Sequence, residues 1–210
     1  ITGADSEEAA CELFEDARAV LSKASMVLTK LNTNSNRVYS TFEKLNVVVP
    51  ADAPCKVLGM VWDPKEDVFG FSGVEVADDL VVTKRVILSV VSRLYDPFGF
   101  CGPFTMYAKI LMQDTWMLNL GWDEDVPQEL LNRFRRWVSD LLIVRAWTIP
   151  RCFLPFCWGD VVSKIELHAY GDASERGYGS VIYLRFFSVS FHVSLVMAKP
   201  RVAPVKKVSL

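Results

Sequence analysis

Histidine is almost missing from this chain: His168 and His192 are the only two in 210 residues. Its five cysteines, Cys11, Cys55, Cys101, Cys152 and Cys157, include no Cys-x-x-C pair, and both histidines lie elsewhere. Structural zinc needs closely spaced thiolates and imidazoles, so the pattern argues against a zinc module. An odd set of thiols is expected to stay reduced, as in an intracellular protein. No run of about 18 uncharged apolar residues occurs, which argues against a membrane span and a membrane partner. The opening ITGADSEEAA has neither a Met nor the apolar stretch of a secretory signal, and reads as the interior of a longer polypeptide. Internal repeats and low-complexity tracts are also missing.

What the chain has in quantity is apolar and aromatic residues, 51% hydrophobic with six Trp and 13 Phe, which points to packed cores and away from disorder. The length suits one large domain or two small ones. The net charge of −2 is unevenly placed. Residues 161–210 hold seven Lys/Arg against Glu166, Asp172 and Glu175, so this segment is +4 and the preceding 160 residues are −6. A basic C-terminal region suits a phosphate backbone or ordinary solvated surface.

Periodicity predicts an α/β chain. Asp5 and Glu8 read as a capping box ahead of Ala10, Leu13, Phe14, Ala17, Val20, Leu21 and Ala24 at helical spacing. A short strand is expected near Thr29 to Leu31, followed by an Asn/Ser-rich turn. CKVLGMVWDP reads as a strand closed by Asp63-Pro64, with Gly59 permitting close approach by another backbone or a ligand. DVFGFSGVEV suggests another strand or hairpin. Thr83 opens a second helix with Val86, Val90 and Leu94 on one face, ended by Pro97. Pro103 suits the first turn of a third helix, which carries Met106, Ile110, Leu111, Trp116 and Leu120 to a stop at Gly121. A fourth places Leu130, Leu131, Phe134, Trp137, Leu141 and Leu142 inward. A boundary is expected within Arg151–Lys164, at Pro155 and Gly159. Past it the pattern is β, at about Ile165–Tyr170, Ser180–Phe186 and Phe191–Met197.

Several stretches in one order carry a family resemblance. TKRVILSVVSRLYDPFGFCGPFTMYAKILMQDTW, GWDEDVP, ELHAYGDASERGYGSVIYL and AKPRVAPVKK together resemble the Bel/Pao retrotransposon Pol polyprotein. The region is often filed as the Pao retrotransposon peptidase family. ITGADSEEAACELFEDARAVLSKASMVLTKLNTNSN is similar to the end of a reverse transcriptase palm, past its Tyr-x-Asp-Asp turn. The resemblance implies palm remnant over 1–82, helical thumb and connection over 83–150, and the first three strands of an RNase H-like antiparallel sheet over 160–210. It also implies template-primer or RNA/DNA hybrid and the remainder of the Pol polyprotein as partners, in a cytoplasmic, virus-like-particle setting. A sheet stopped after three strands is expected to self-associate through its open edge.

The resemblance assigns Asp172 as the first-strand RNase H carboxylate, a metal ligand only in an intact site. The parent would use Mg²⁺ held by clustered carboxylates, whereas one carboxylate cannot hold two ions, so the chain alone is expected to lack catalysis. Ser174 and Gly177 read as supports of a tight turn. Gly59 and Met60 resemble a primer grip, and Lys30 a late-palm lysine better read as a solvated strand end. Lys84 and Arg85 on the second helix, and Lys199, Arg201, Lys206 and Lys207 in the C-terminal stretch, are the candidate phosphate contacts. The alternatives are an aspartic peptidase, as the family label suggests, and a host-retained interaction domain. The peptidase lacks its motif: no Asp precedes Ser-Gly or Thr-Gly, and Gly-x-Ser-x-Gly is absent too.

Overall fold

The computed structural model describes residues 3–45, 55–57, 59–72, 75–77, 79–154 and 162–205. The chain divides into two compact units, Ile1–Val57 with Val61–Phe69, and Leu58–Met60 with Gly70–Leu210.

In the first unit, helix α1 (Glu7–Ser22) begins one residue later than the expected capping box. Ser6 is its N-cap, accepting the Ala9 N–H at 3.1 Å. Glu7 and Glu8 are thereby available to helix α2 (Asn36–Glu43). The Ser35 hydroxyl donates to Glu7 at 2.5 Å and Arg37 donates to Glu8 at 2.5 Å. Glu8 is held below the usual carboxylate range, first by a backbone N–H and then by Arg37. Helix α2 follows the expected Asn/Ser-rich turn, whose Ser35 serves as its N-cap, accepting the Val38 N–H. Phe14, Val38 and Phe42 form the core between the two helices, with the Phe14 and Phe42 rings 4.6 Å apart. No strand forms at Thr29–Leu31; Leu28 and Leu31 pack onto that core, and Lys30 is an exposed left-handed turn residue at φ 57°.

The expected strand around Gly59 is two strands, β1 (Cys55–Val57) and β2 (Met60–Asp63), followed by β3 (Val68–Phe71). Asp63 closes its turn by accepting the Lys65 and Glu66 N–H groups. Gly59 has φ 80°, and an added Cβ would lie 2.4 Å from the Tyr95 ring. Its neighbour Met60 is fully buried. The close approach at Gly59 is by Tyr95, and the Met60 side chain belongs to the core.

The second unit holds helices α3 (Lys84–Arg93), α4 (Gly102–Met117) and α5 (Gln128–Ala146), a short strand β4 (Thr148–Pro150), and an antiparallel sheet β5 (Lys164–Ala173), β6 (Gly177–Phe187), β7 (Phe191–Val202) in that order. Thr83 caps α3 through the Val86 N–H. Helix α5 buries Leu130, Phe134, Trp137, Leu141 and Val144, a regular helical stripe, and leaves Leu142 71% exposed, against expectation. Trp137 stacks on Phe104 of α4 at 5.0 Å and donates to the Phe104 carbonyl at 3.1 Å.

On α4 the buried residues are Gly102, Thr105, Ala108, Leu111, Met112 and Thr115, while Trp116 is 47% exposed. Gly102 and Met106 face the sheet. A Cβ on Gly102 would meet the Pro200 ring at 3.4 Å, and one on Gly177 would collide with Met106. The loop before α4 closes on the same strand. The Ala198 N–H donates to the Phe98 carbonyl at 2.7 Å, covering at this point the β7 edge that was expected to stand open. A Cβ on Gly99, at φ 74°, would lie 1.9 Å from the Ala198 oxygen. Helices and sheet therefore pack as one unit, and the expected separation of 83–150 from 160–210 is not a break in packing. Pro155 and Gly159, where that boundary was placed, lie outside the described residues.

Asp96 organises the entry to α4. Its two oxygens accept the Phe100 and Cys101 N–H groups at 2.9 and 2.8 Å, replacing the side-chain cap that Cys101 cannot supply. Burial raises the Asp96 carboxyl and the neighbouring N–H bonds oppose the rise. Burial, with Asp96 nearby, pushes the Cys101 thiol up to about 12.

Two outcomes follow. Gly99→Ala combines a left-handed backbone with a blocked carbonyl, and is expected to lower stability by about 2 kcal/mol or more. Gly121→Ala, which meets only ordinary contacts, should cost less in the same urea titration. Because the thiolate is the reactive form, iodoacetamide at about pH 8 should label exposed Cys152 and spare Cys101 until the chain is unfolded, as peptide mass spectrometry would show.

Candidate functional site

Strand β5 carries Asp172 to its end, where it pairs with Gly179 of β6, which in turn pairs with Pro200 of β7. The side chain borders an open groove of about 480 Å³ between the sheet and α4, lined also by Met106, Ile110, Tyr170 and Arg176. The following turn is the tight one that Ser174 and Gly177 implied. The Ser174 N–H donates to the Gly177 carbonyl at 2.7 Å, and its hydroxyl accepts the Arg176 and Gly177 N–H groups. Asp172 itself accepts the Ala173 N–H at 2.8 Å.

Carboxylate partners for Asp172 are the missing element. Glu166, on the same face of β5, is bound by Lys164 at 2.7 Å and His168 at 3.0 Å. Those two bonds, Lys164 first, hold Glu166 below the usual carboxylate range. Asp114 on α4 is only 13% exposed, and both its oxygens are engaged, by Arg133 of α5 at 2.9 Å and by Arg176 of the β5–β6 turn at 2.8 Å. Among the described residues no three His, Cys, Asp or Glu side chains come close enough to hold a metal ion. The carboxylates present do not fit a two-ion Mg²⁺ centre, which needs several acids converging on one point. A serine triad is not assembled either. The Ser174 hydroxyl donates to Gly177, while His168 contacts Glu166 and, at 3.5 Å, Tyr170.

The candidate phosphate contacts separate into two kinds. Lys84 is 5% exposed, with its ammonium 4.4 Å from the Trp116 ring centre, 5.2 Å from that of Trp122 and 3.3 Å from the Leu120 carbonyl. It joins α3 to the turn after α4 as a buried cation–π contact. Arg85 makes a bidentate pair with Asp123 at 2.7 and 2.9 Å. The structure thus gives both residues partners within the chain in place of phosphates. Lys199 and Arg201 differ: they border a second groove of about 480 Å³, with Thr105, Lys109 and Tyr178, along β7. None of the three cations forms an ion pair among the described residues. Lys206 and Lys207 lie outside the described residues.

Lys109 was missed from the sequence. Its signal is a polar stripe on an apolar helix, Thr105, Lys109 and Gln113 at four-residue spacing, which lies toward β7. Gln113 donates to the Ala203 carbonyl at 2.5 Å. The one acid on this groove, Asp96, already serves backbone N–H groups, although Lys109 favours its ionised form.

The two aspartates bordering the sheet should respond oppositely to neutralisation. Asp114→Asn leaves two arginines without a carboxylate and is expected to cost about 1–2 kcal/mol, the solvent exposure of both arginines allowed for. Asp172→Asn removes no ion pair and is expected to leave the denaturation midpoint unchanged; equal losses for the two would contradict this assignment of partners.

Comparison with known proteins adds the family. The model of the Pao retrotransposon-like RNaseH-like domain matches residues 83–210. No curated protein matches the chain. The match begins at Thr83, the cap of α3, and takes in the three helices and the three-stranded sheet that pack as one unit. The chain therefore belongs to the Pao retrotransposon-like RNaseH-like family.

Proposed function

We propose that this chain is a region of a retrotransposon Pol polyprotein that holds template-primer or RNA/DNA hybrid by its phosphates and performs no chemistry by itself. The observation that carries the reading is the β7 groove, where Lys109, Lys199 and Arg201 converge without ion-pair partners among the described residues. Phosphate contacts of this kind fix position and leave sequence unread. Among the described residues no three His, Cys, Asp or Glu side chains are grouped to hold a metal ion, and in this reading Asp172 is the remnant of a first-strand ligand. In the intact parent, further acids would be needed before Mg²⁺ could be held there.

The reading keeps 1–82 as the end of a polymerase palm, 83–150 as thumb and connection and 160–210 as opening RNase H strands; the family match over 83–210 supports its RNase H-like part. Among the described residues no helix is long and apolar enough to cross a membrane, which agrees with an intracellular, particle-associated setting. Ile165 and Leu167 stand exposed on β5, which favours self-association when the rest of the polyprotein is missing.

Fluorescence anisotropy with a labelled RNA/DNA hybrid tests the reading. Lys199→Glu with Arg201→Glu is expected to weaken binding at least about tenfold and to lower the salt slope by about one per lost phosphate contact. Lys84→Gln should leave that slope unchanged. The wild-type chain should leave the hybrid uncut in Mg²⁺ or Mn²⁺; cleavage that disappears in Asp172→Asn would establish a working nuclease instead.

A further inference from the structure

The sheet carries a second surface that the groove does not use. Alternation along β5–β7 places Lys164, Glu166, His168, Tyr170 and Asp172 on one face, beside Tyr183, Arg185 and Phe187 of β6 and Phe191 and Val193 of β7. Helix α4 covers this face at the Asp172 end, where Gly102 meets Pro200. Beyond it the face is aromatic and open. Tyr170 is 59% and Phe191 60% exposed. The His168 and Tyr170 rings lie nearly parallel at 6.4 Å, and Tyr170 meets Tyr183 edge-on at 6.2 Å.

Arg185 sits in the middle, and its Nε has no acceptor among the described residues. Its guanidinium carbon is 4.6 Å from the ring centres of both Phe187 and Phe191. That Nε is also shielded from solvent. Register puts Glu166 directly opposite, yet that carboxylate is taken by Lys164 and His168. A shielded donor without an acceptor is costly, and native proteins rarely keep one without a use. The rings hold the cation in place, and the local acid is already neutralised. What the face lacks is an anion, and what it offers beside the cation is flat, exposed aromatic surface.

We propose that this face binds single-stranded nucleic acid, with unpaired bases stacking on Tyr170 and Phe191 and a backbone phosphate accepting from Arg185. A duplex cannot supply this match, because its base faces are stacked on one another and only a single strand presents them. The surface differs from the Lys109 groove, and the inference stands apart from the phosphate-holding reading.

The test compares a labelled oligouridylate with an RNA/DNA hybrid on the full chain by fluorescence anisotropy. Phe191→Ala and Tyr170→Ala are each expected to weaken the single strand about tenfold while leaving the hybrid unchanged. The Lys199→Glu, Arg201→Glu variant should weaken the hybrid and spare the single strand, so failure of either reading is visible alone. Irradiating wild-type protein with a 5-bromouracil oligonucleotide avoids any folding defect of the variants, and adducts are expected at Tyr170, Tyr183 or Phe191. Adducts confined to other residues, or single-strand affinity indifferent to both alanine changes, would overturn the proposal. So would sedimentation showing a dimer that Phe191→Ala dissolves, since the face would then belong to a second copy.

Discussion

The close approach of α4 and its preceding loop to β7 is the constraint on which the second unit depends. Two glycines make it sterically feasible, Gly99 under the Ala198 carbonyl and Gly177 beneath Met106, while Gly102 packs against Pro200. Once the helix is seated, the β7 backbone gains hydrogen-bond partners outside the sheet at Ala198, and Gln113 satisfies the Ala203 carbonyl. The two grooves are consequences of that seating, one on either side of the contact. Asp114 then ties the arrangement together, because α4, α5 and the β5–β6 turn each send a charge to the same place.

Much of this architecture was legible because it follows from period. Helices α3, α4 and α5 stood where apolar residues recur at helical spacing, and the three long strands stood where β-branched and aromatic residues cluster. The strands run longer than expected, through Gly171 and Asp172 and again through Lys199 and Pro200, residues with poor strand preference. Pairing supplies what preference does not: Gly171 and Asp172 are held by Ser180 and Gly179, which are held in turn by Lys199 and Pro200. Which side of α4 is buried is a different matter: Phe104 packs on α5 while Met106 and Gln113 meet the sheet and the residue after it, and partners so distant in sequence leave no local pattern. Helix α2 was hidden because Ser35, a cap, looks like any other residue of an Asn/Ser-rich turn.

The candidate site was legible in place and illegible in partners. Asp172 does sit at the end of the first long strand, and Ser174 and Gly177 do make the turn after it. Whether other acids converge there depends on side chains distant in sequence, and Asp114, the nearly buried acid of the adjoining helix, is turned to two arginines. Charge along a helix has the same ambiguity. Lys84 and Arg85 are adjacent in sequence, yet one is enclosed by Trp116 and Trp122 and the other grips Asp123 at the surface. No local pattern separates these from Lys199 and Arg201, because the separating residues lie more than thirty positions away.

A cation is freest to contact phosphate where the fold has neither paired it with an anion nor enclosed it. Arg133 and Arg176 fail that condition at Asp114, Arg85 fails it at Asp123, and Lys84 fails it between two indoles. Lys109, Lys199 and Arg201 meet it on the β7 groove. Arg185 is an intermediate case: rings fix its plane, but its Nε has no acceptor among the described residues. Fixing the plane removes the rotamer entropy that an exposed arginine would lose on contact. A clamped guanidinium is therefore better prepared for a single directed bond than the exposed lysines are, while the lysines suit a diffuse backbone charge. The two surfaces differ in this respect, and the difference follows from what surrounds each charge and not from how many charges there are.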